Sequence, residues 1–218
     1  LVGGGSPPRP GEISLAHHGV LFLDELPEFN RQVIEALREP LESGNITISR
    51  AARQAEFPAS FQLVAAMNPC PCGHLGSQLN QCVCTLQQIQ RYRKKLSAPF
   101  LDRIDMCIEV NPLPKTYFLQ SSKEENSEIV RIRVKKAQTR QLYKLGKLNH
   151  NLTGKILEHA CKLSNKDHKI LENALEKFQL SARAYHRILR IARTIADLTE
   201  CEKIKTSHLM EALSYRII

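Results

Sequence analysis

The sequence contains no apolar run of about 18 residues, the length that a membrane-spanning helix requires. Residues 1–19 lack the basic segment followed by an apolar segment that defines a secretory signal. Cysteine occurs seven times, an odd number, and four of the seven lie between residues 70 and 84, which argues against a disulfide scaffold. From these absences we expect a cytoplasmic protein without a membrane-spanning segment.

Charge is distributed unevenly along the chain. The formal net charge is +9, from 31 basic and 22 acidic residues. Residues 1–100 are almost balanced, with nine Lys and Arg against eight acids, whereas residues 115–169 carry thirteen against five. A basic segment of this kind suits a phosphate backbone, and salt would weaken such binding. The alternative is an ordinary solvated helix surface.

Two short apolar segments, Val20–Leu23 and Phe61–Ala66, have the pattern of strands buried on both faces of a parallel sheet. The first is followed by a helix that Gly44 ends, with a bend expected at Pro40. Alternating residues predict a hairpin over Ile46–Phe57, and a third strand is predicted at 107–110.

After residue 114 the pattern becomes helical. N-caps are expected at Ser164, Ser181 and Thr206. The sequence therefore predicts an α/β domain over residues 1–114 and a helical bundle over residues 115–218. The five predicted helices cover about 124–147, 153–163, 166–178, 182–199 and 207–217.

Asp24 and Glu25 directly follow the first predicted strand, at the end where α/β proteins bind ligands. One carboxylate there can hold Mg²⁺ through a water molecule, and the next can orient or deprotonate an attacking water. The alternative is a strand that ends in two solvated acids. Asn68, at the end of the second strand, would lie beside them and bind the attacking water or a γ-phosphate oxygen, unless it only forms an Asn-Pro turn.

Two arginines have positions that suit contact with a nucleotide. Arg103 precedes the third predicted strand and could reach the nucleotide of a neighbouring subunit as an arginine finger. Alternatively, Asp102 and Asp105 simply pair with it. Arg183 follows the expected N-cap at the start of a helix, where it either contacts a γ-phosphate or is one more surface arginine.

Four cysteines, Cys70, Cys72, Cys82 and Cys84, form the pattern C-x-C, nine residues, C-x-C. Four thiols so close in sequence can form a tetrahedral Zn²⁺ site, and a metal would order a segment that has little core-forming power. The C-x-C spacing is tighter than the usual C-x-x-C, and His74 could replace one thiol. Redox-active or free thiols are the alternative.

Five segments together resemble the magnesium-chelatase-like AAA+ proteins, in particular their ComM/YifB branch. The resemblance runs almost continuously from residue 2 to about residue 215. The segments are GEISLAHHGVLFLDELPEF, LREPLESGNITISRA, VAAMNPCPCG, LSAPFLDRID and SARAYHRILRIARTIADL.

The resemblance implies the C-terminal part of an AAA+ P-loop NTPase core, followed by an α-helical lid, that uses ATP and Mg²⁺. The predicted hairpin would be the pre-sensor-1 hairpin, which points into the pore of a ring. Arg50 and Arg53 near its tip would touch DNA phosphates, with two solvated turn arginines as the alternative. The other implied roles are a Walker B pair at Asp24 and Glu25, sensor 1 at Asn68, an arginine finger at Arg103 and sensor 2 at Arg183.

One expected motif is missing from the sequence. Glycines 3–5 are not followed by Gly-Lys-Ser or Gly-Lys-Thr, so no Walker A loop is present to hold the β- and γ-phosphates. Tight ATP binding by these 218 residues alone is therefore not expected.

Three functions remain open at this point. The resemblance implies a hexameric, ATP-driven helicase that drives branch migration when incoming DNA is integrated. A protein-remodelling motor that helps insert Mg²⁺ into a tetrapyrrole is the second, because true chelatase subunits do this. The third is a truncated module that binds nucleic acid or ring partners without hydrolysis.

Overall fold

The computed structural model describes residues 1–50, 53–77, 80–111 and 125–216, and the side chains of Arg50 and Arg53 lie outside this description. The chain forms two compact units, Leu1–Ile104 and Asp105–Ile218. It has the predicted α/β class, with a parallel sheet followed by a helical region, consistent with an AAA+-like core and lid. The proposed domain boundary at residue 114 stays a prediction, because residues 112–124 are outside the described part.

The first unit contains three two-stranded sheets among its described residues. Two pairs are antiparallel: β1 (Gly3–Gly4) with β2 (Arg9–Pro10), and β4 (Asn45–Arg50) with β5 (Arg53–Pro58). The third pair, β3 (Val20–Leu23) and β6 (Gln62–Ala65), is parallel. The helices are α1 (Glu12–Leu15), α2 (Arg31–Ala36), α3 (Arg38–Ser43), α4 (Leu86–Arg93) and α5 (Ala98–Leu101).

Side chains alternate between the two faces of β3. Leu21 and Leu23 are 8% and 5% exposed, and they pack in the core of this unit, where Phe100 is fully buried. Val20 and Phe22 are 59% and 60% exposed. The expectation that β3 is buried on both faces is therefore wrong for the described chain, in which only one face of the strand is covered.

The single helix expected before Gly44 is divided into α2 and α3, which meet at Leu37. Pro40 explains the division, because it has no N–H to donate to a carbonyl one turn earlier and is tolerated only in a first helical turn. Gly44 ends α3 with a φ of 75°, a left-handed conformation that glycine adopts without a side-chain clash. The β4–β5 hairpin then follows as predicted.

The third predicted strand, at residues 107–110, is not formed in the described chain. A strand needs a neighbour with which to exchange hydrogen bonds. The N–H of Cys107 instead donates to the carbonyl of Tyr215, at 2.9 Å. Alternating apolar residues alone could not reveal this choice of partner.

The second unit is helical, and its helices agree closely with the prediction. The helices are α6 (Ser127–Leu145), α7 (Gly154–Ala160), α8 (Asn165–Lys177), α9 (Ala182–Leu198) and α10 (Thr206–Ser214). Ser164 and Ser181 cap α8 and α9, each accepting from a backbone N–H at 3.2 Å. The cap expected at Thr206 is wrong by one residue: Lys205 is the N-cap of α10, and the Thr206 hydroxyl donates to Asp167 at 2.6 Å.

Helix α9 is central to this unit. Its apolar residues, among them Ile188 and Leu189, lie in the core, where Leu171 and Leu209 from neighbouring helices are fully buried. The same helix also buries an ion pair between Arg193 and Asp197. Within the described residues, no helix is both long and apolar enough to cross a membrane.

Candidate nucleotide site and cysteine cluster

The parallel pairing of β3 and β6 brings their carboxyl ends to the same edge of the sheet. Leu23 lies opposite Ala65 in this register. Beyond the paired residues, the N–H of Ala66 donates to Leu23 at 2.9 Å and the N–H of Leu26 donates to Ala66 at 2.9 Å. Residues 24 and 25 lie between the two bonded residues Leu23 and Leu26, and Asn68 follows Ala66 by two residues. The predicted acid pair and Asn68 therefore lie at the same edge of the sheet.

Asp24 and Glu25 form a tight turn as β3 ends. Glu25 has a φ of 49° and a ψ of 44°, a left-handed backbone that costs a non-glycine residue on the order of 1–2 kcal/mol. A carboxylate oxygen of Asp24 accepts a hydrogen bond from the Glu25 N–H at 2.8 Å. Both residues are exposed. The turn thus presents two adjacent carboxylates to solvent, an arrangement that suits Mg²⁺ and water.

Tyr92 of α4 is a member of this site that sequence reasoning missed. It is 5% exposed. Burial is the main cause that raises the pKa of its hydroxyl, the Glu28 and Glu25 carboxylates add to the rise, and a hydrogen bond from the Asn68 backbone opposes it. Tyr92 is therefore close to both the acid turn and the Asn68 backbone.

A local signal for α4 was present in the sequence. Thr85 and Gln88 have capping-box spacing, and in the structure each side chain bonds the other residue's backbone N–H, at 3.2 and 2.8 Å. Ile89 and Tyr92, three residues apart, are the buried residues of this helix. The capping box followed by this spacing predicts a helix that packs Tyr92 inward.

Arg103 is held inside the first unit. Its guanidinium donates to the carbonyl of Pro99 at 2.6 Å and to that of Arg38 at 3.2 Å, and it forms an ion pair with Glu42. The side chain is only 10% exposed. Of the two partners considered from the sequence, Asp105 bonds Arg187 instead, at 3.2 Å. The finger role of Arg103 stays a prediction.

The remaining predicted arginines belong to other elements of the fold. Arg183 is exposed in the first turn of α9, in the second unit. Arg50 ends β4 and Arg53 begins β5. They form the last pair of the ladder, so their backbones lie at the turn of the hairpin. Their contacts with DNA stay a prediction, since their side chains are not among those described.

The four predicted cysteines come together as one cluster. Sulfur–sulfur distances are 3.4 Å for Cys70–Cys72, 3.7 Å for Cys70–Cys82 and 3.6 Å for Cys72–Cys82. All four sulfurs, including that of Cys84, lie within 4.8 Å of one another. A tetrahedron with Zn–S bonds of about 2.3 Å has edges of about 3.8 Å. The cluster therefore has the size of a tetrathiolate metal site and contains no disulfide.

The backbone around the cluster supplies hydrogen bonds to sulfur. The pKa of Cys72 is lowered to about 6, chiefly by the backbone N–H of His74 and then by that of Val83. Desolvation raises the pKa of Cys84 to about 12. The described cluster contains four sulfurs and no imidazole, so His74 contributes its backbone rather than replacing a thiol.

The cluster is joined to the strand edge at one end and to α4 at the other. Cys70 is fully buried two residues after Asn68. A Cβ on Gly73 would lie 3.9 Å from the Asn68 side chain, so the loop passes beside that amide. Cys84 immediately precedes Thr85, the N-cap of α4. The conformation of this loop therefore affects the positions of both Asn68 and Tyr92.

Comparison with known proteins assigns the family. Residues 1–118 match the family model described as magnesium chelatase, subunit ChlI, and residues 124–216 match its C-terminal model. Competence protein ComM of Haemophilus influenzae is 55% identical over 99% of the chain, and the uncharacterized protein YifB of Salmonella typhimurium is 50% identical over 100%. An uncharacterized MCM-type protein of Methanocaldococcus jannaschii is 30% identical over 47% of the chain and 13% of its own length.

The chain spans 42% of ComM and 43% of YifB, so it matches less than half of each relative. Both family models agree with the resemblance that its motifs indicated. On these matches, together with the parallel strand edge and the helical second unit, the chain belongs to the magnesium chelatase ChlI family.

Proposed function

We propose that the chain is part of an ATP-driven AAA+ motor that assembles as a hexameric ring and moves along DNA, with branch migration during the integration of incoming DNA as its task. The meeting of Asp24, Glu25 and Asn68 at one edge of a parallel sheet is the observation that carries the proposal. The 55% identity to a competence protein supports the biological setting.

Each group at the strand edge has a chemical task in this proposal. Asp24 would hold Mg²⁺ through a water molecule, and the cation would neutralise phosphate charge. Glu25 would take a proton from the attacking water, for which its exposed carboxylate at the turn is suited. Asn68 would orient that water or a γ-phosphate oxygen, and the buried Tyr92 is close to its backbone.

Residues on other elements would complete the motor. Arg103 would act on the nucleotide of the neighbouring subunit, and Arg183 on that of its own subunit or its neighbour. Arg50 and Arg53 would contact DNA phosphates from the hairpin. A phosphate-binding loop is also needed, and in this proposal it is supplied by sequence outside the 218 residues.

Hydrolysis of ATP by a full-length parent protein, with and without single-stranded DNA, tests this proposal. Glu25→Gln should reduce turnover by about 10²–10⁴-fold while ATP binding is retained, because only the proton acceptor is removed. Glu28→Gln, an exposed acid three residues later, is the matched control and should remain active. A fully active Glu25→Gln protein would remove Glu25 from the mechanism.

The 218-residue chain by itself should not hydrolyse ATP. Turnover by this chain that is lost in Glu25→Gln would show that another segment cradles the phosphates.

A chelatase-type motor that remodels a protein is the second candidate, favoured by the description of the family models. Hydrolysis that DNA does not stimulate, and that a partner protein does, would favour this second function. DNA binding that ATP leaves unchanged, with no turnover in the parent either, would favour a non-hydrolysing binding module.

We also propose that the cysteine cluster binds one Zn²⁺. The donor set fits, because four soft thiolate ligands at tetrahedral spacing select Zn²⁺. Metal analysis of the purified chain should find about one zinc per chain. Cys72→Ser should lose the metal, whereas Cys201→Ser, the same substitution outside the cluster, should retain it. A well-folded chain without metal would refute the site.

A further inference from the structure

A cleft of about 640 Å³ lies in the first unit, between α4 and the turn that follows Asp24 and Glu25. Its lining residues include four cations and no acid of the described chain. Phe29, which is partly exposed, supplies an aromatic ring. The four cations are Arg31, Arg91, Lys94 and Lys95.

The basic wall of the cleft is one face of α4 and its C-cap. Gln87, Gln90, Arg91 and Lys94 have the spacing i, i+3, i+4 and i+7, which places them in a row along a helix. The buried residues Ile89 and Tyr92 hold the other side of the helix against the protein. The row is therefore presented to solvent by the packing of α4.

The positive charge of the cleft is only partly balanced. Lys95 pairs with Glu28 at 3.1 Å. Arg91 and Lys94 form no hydrogen bond or ion pair through their side chains with any residue that the structure describes. Both are exposed, so their charges are available to an anion. A concave surface that concentrates charge of one sign attracts oligoanions of the opposite sign.

We propose that this cleft binds the phosphates of a single nucleic-acid strand, as a contact surface separate from the hairpin. Guanidinium and ammonium groups bind phosphate oxygens, and the side-chain amides of Gln87 and Gln90 are further donors. Phe29 offers a face on which a base can stack. The inference rests on the proposed function in one respect, which is that the protein acts on DNA.

The salt dependence of binding gives the proposal a magnitude. Each phosphate neutralised on a single strand contributes about −0.7 to the slope of log K against log salt concentration. Arg91→Gln with Lys94→Gln removes two cations and should make the slope less steep by about 1.4. The affinity for the strand should fall as well, most strongly at low salt.

Fluorescence anisotropy of a labelled oligothymidylate with the 218-residue chain is the measurement. Arg93→Gln is the matched control, because Arg93 is exposed on the same helix two residues from Arg91 and faces away from that row. The control should leave both the affinity and the slope unchanged. All substituted residues are exposed, and thermal melting monitored by circular dichroism checks that the variants stay folded.

Three outcomes would overturn the cleft as a nucleic-acid site. The first is an equal effect of Arg91→Gln and Arg93→Gln, which would mean diffuse attraction by the whole surface. The second is binding of ATP or tripolyphosphate, lost in Arg91→Gln with Lys94→Gln, without binding of the oligonucleotide. The third is loss of ring assembly in the doubly substituted parent protein while its oligonucleotide binding is unchanged, which would assign the cleft to a neighbouring subunit.

Failure of this inference can be distinguished from failure of the proposed motor. Binding through the cleft requires no hydrolysis, so it is measured on its own. Oligonucleotide binding that depends on Arg91 and Lys94, in a protein whose ATP hydrolysis DNA does not stimulate, would refute the motor and retain the cleft. DNA-stimulated hydrolysis with unchanged binding in the doubly substituted protein would refute the cleft and retain the motor.

Discussion

The buried ion pair of α9 supports a prediction about the stability of the helical unit. Arg193 and Asp197 have side chains that are only 6% and 2% exposed, and they bond each other at 2.8 Å. The Arg193 guanidinium also donates to the carbonyls of Cys201 and Glu202, at 2.7 and 2.8 Å. The second Asp197 oxygen accepts from the Asn149 amide at 2.9 Å. Asp197→Ala therefore leaves a buried cation without its counter-ion and removes one of the two acceptors of the Asn149 amide, which keeps its bond to Thr194 at 3.0 Å.

The expected cost follows from what the substitution leaves behind. Removal of one partner of a buried pair destabilises a protein by about 3–5 kcal/mol, because the other charge stays buried and unpaired. A domain has a total stability of only about 5–15 kcal/mol. Since 1 kcal/mol shifts the melting temperature of a domain of this size by about 4 °C, the melting temperature of the helical unit should fall by more than 10 °C.

Calorimetry and urea unfolding of the chain measure this loss. Glu200→Ala is the control, because its ion pair with Arg140 spans 3.6 Å at the surface, where such a pair contributes about 0–1 kcal/mol. Asp197→Leu combined with Arg193→Met removes both charges and should recover most of the stability. A loss below about 1 kcal/mol for Asp197→Ala would refute the reasoning, since it would mean that water or a backbone shift solvates Arg193.

Three further changes have expected outcomes. Burial lowers the pKa of His208, so the free energy of unfolding should fall as pH drops below about 6.5, and His208→Gln should flatten that part of its urea-unfolding pH profile. Bonds from Thr206 and Ser164 lower the pKa of Asp167, so Asp167→Asn should cost stability at neutral pH and progressively less below about pH 4, measured in the same way. Phe100→Ala should cost about 3–5 kcal/mol in urea unfolding, because the ring is fully buried.

Local signals in the sequence predicted the elements well. The first N–H groups of a helix have no acceptor within the helix, and the hydroxyls of Ser164 and Ser181 accept from such groups at the start of α8 and α9. Gly44 ends a helix because the residue at that position needs a left-handed backbone, which glycine adopts easily. The parallel pairing of β3 and β6 followed from two short apolar segments, each ending in polar residues.

Partners distant in sequence could not be predicted in the same way. Arg103 and Glu42 are separated by 61 residues, and Asp105 and Arg187 by more. Several acids could pair with Arg103 on the basis of charge alone. The packing of the folded chain brings Glu42 to it, and the sequence does not show which acid will be near. Tyr92 was missed for the same reason, since its contact with the Asn68 backbone depends on how α4 packs. Thr206 shows the local limit, because its hydroxyl bonds Asp167 on another helix rather than its own backbone.

The cysteine cluster lies between the strand edge and α4 along the chain. Its first thiol lies two residues after Asn68, and its last directly precedes the cap of α4. Helix α4 packs Tyr92 against the Asn68 backbone on one side and presents the basic row with Arg91 to the cleft on the other. A metal held by the four sulfurs would therefore fix the strand edge and the basic face relative to each other. In a motor that couples hydrolysis to movement on DNA, this is where nucleotide and nucleic acid would meet within one rigid segment.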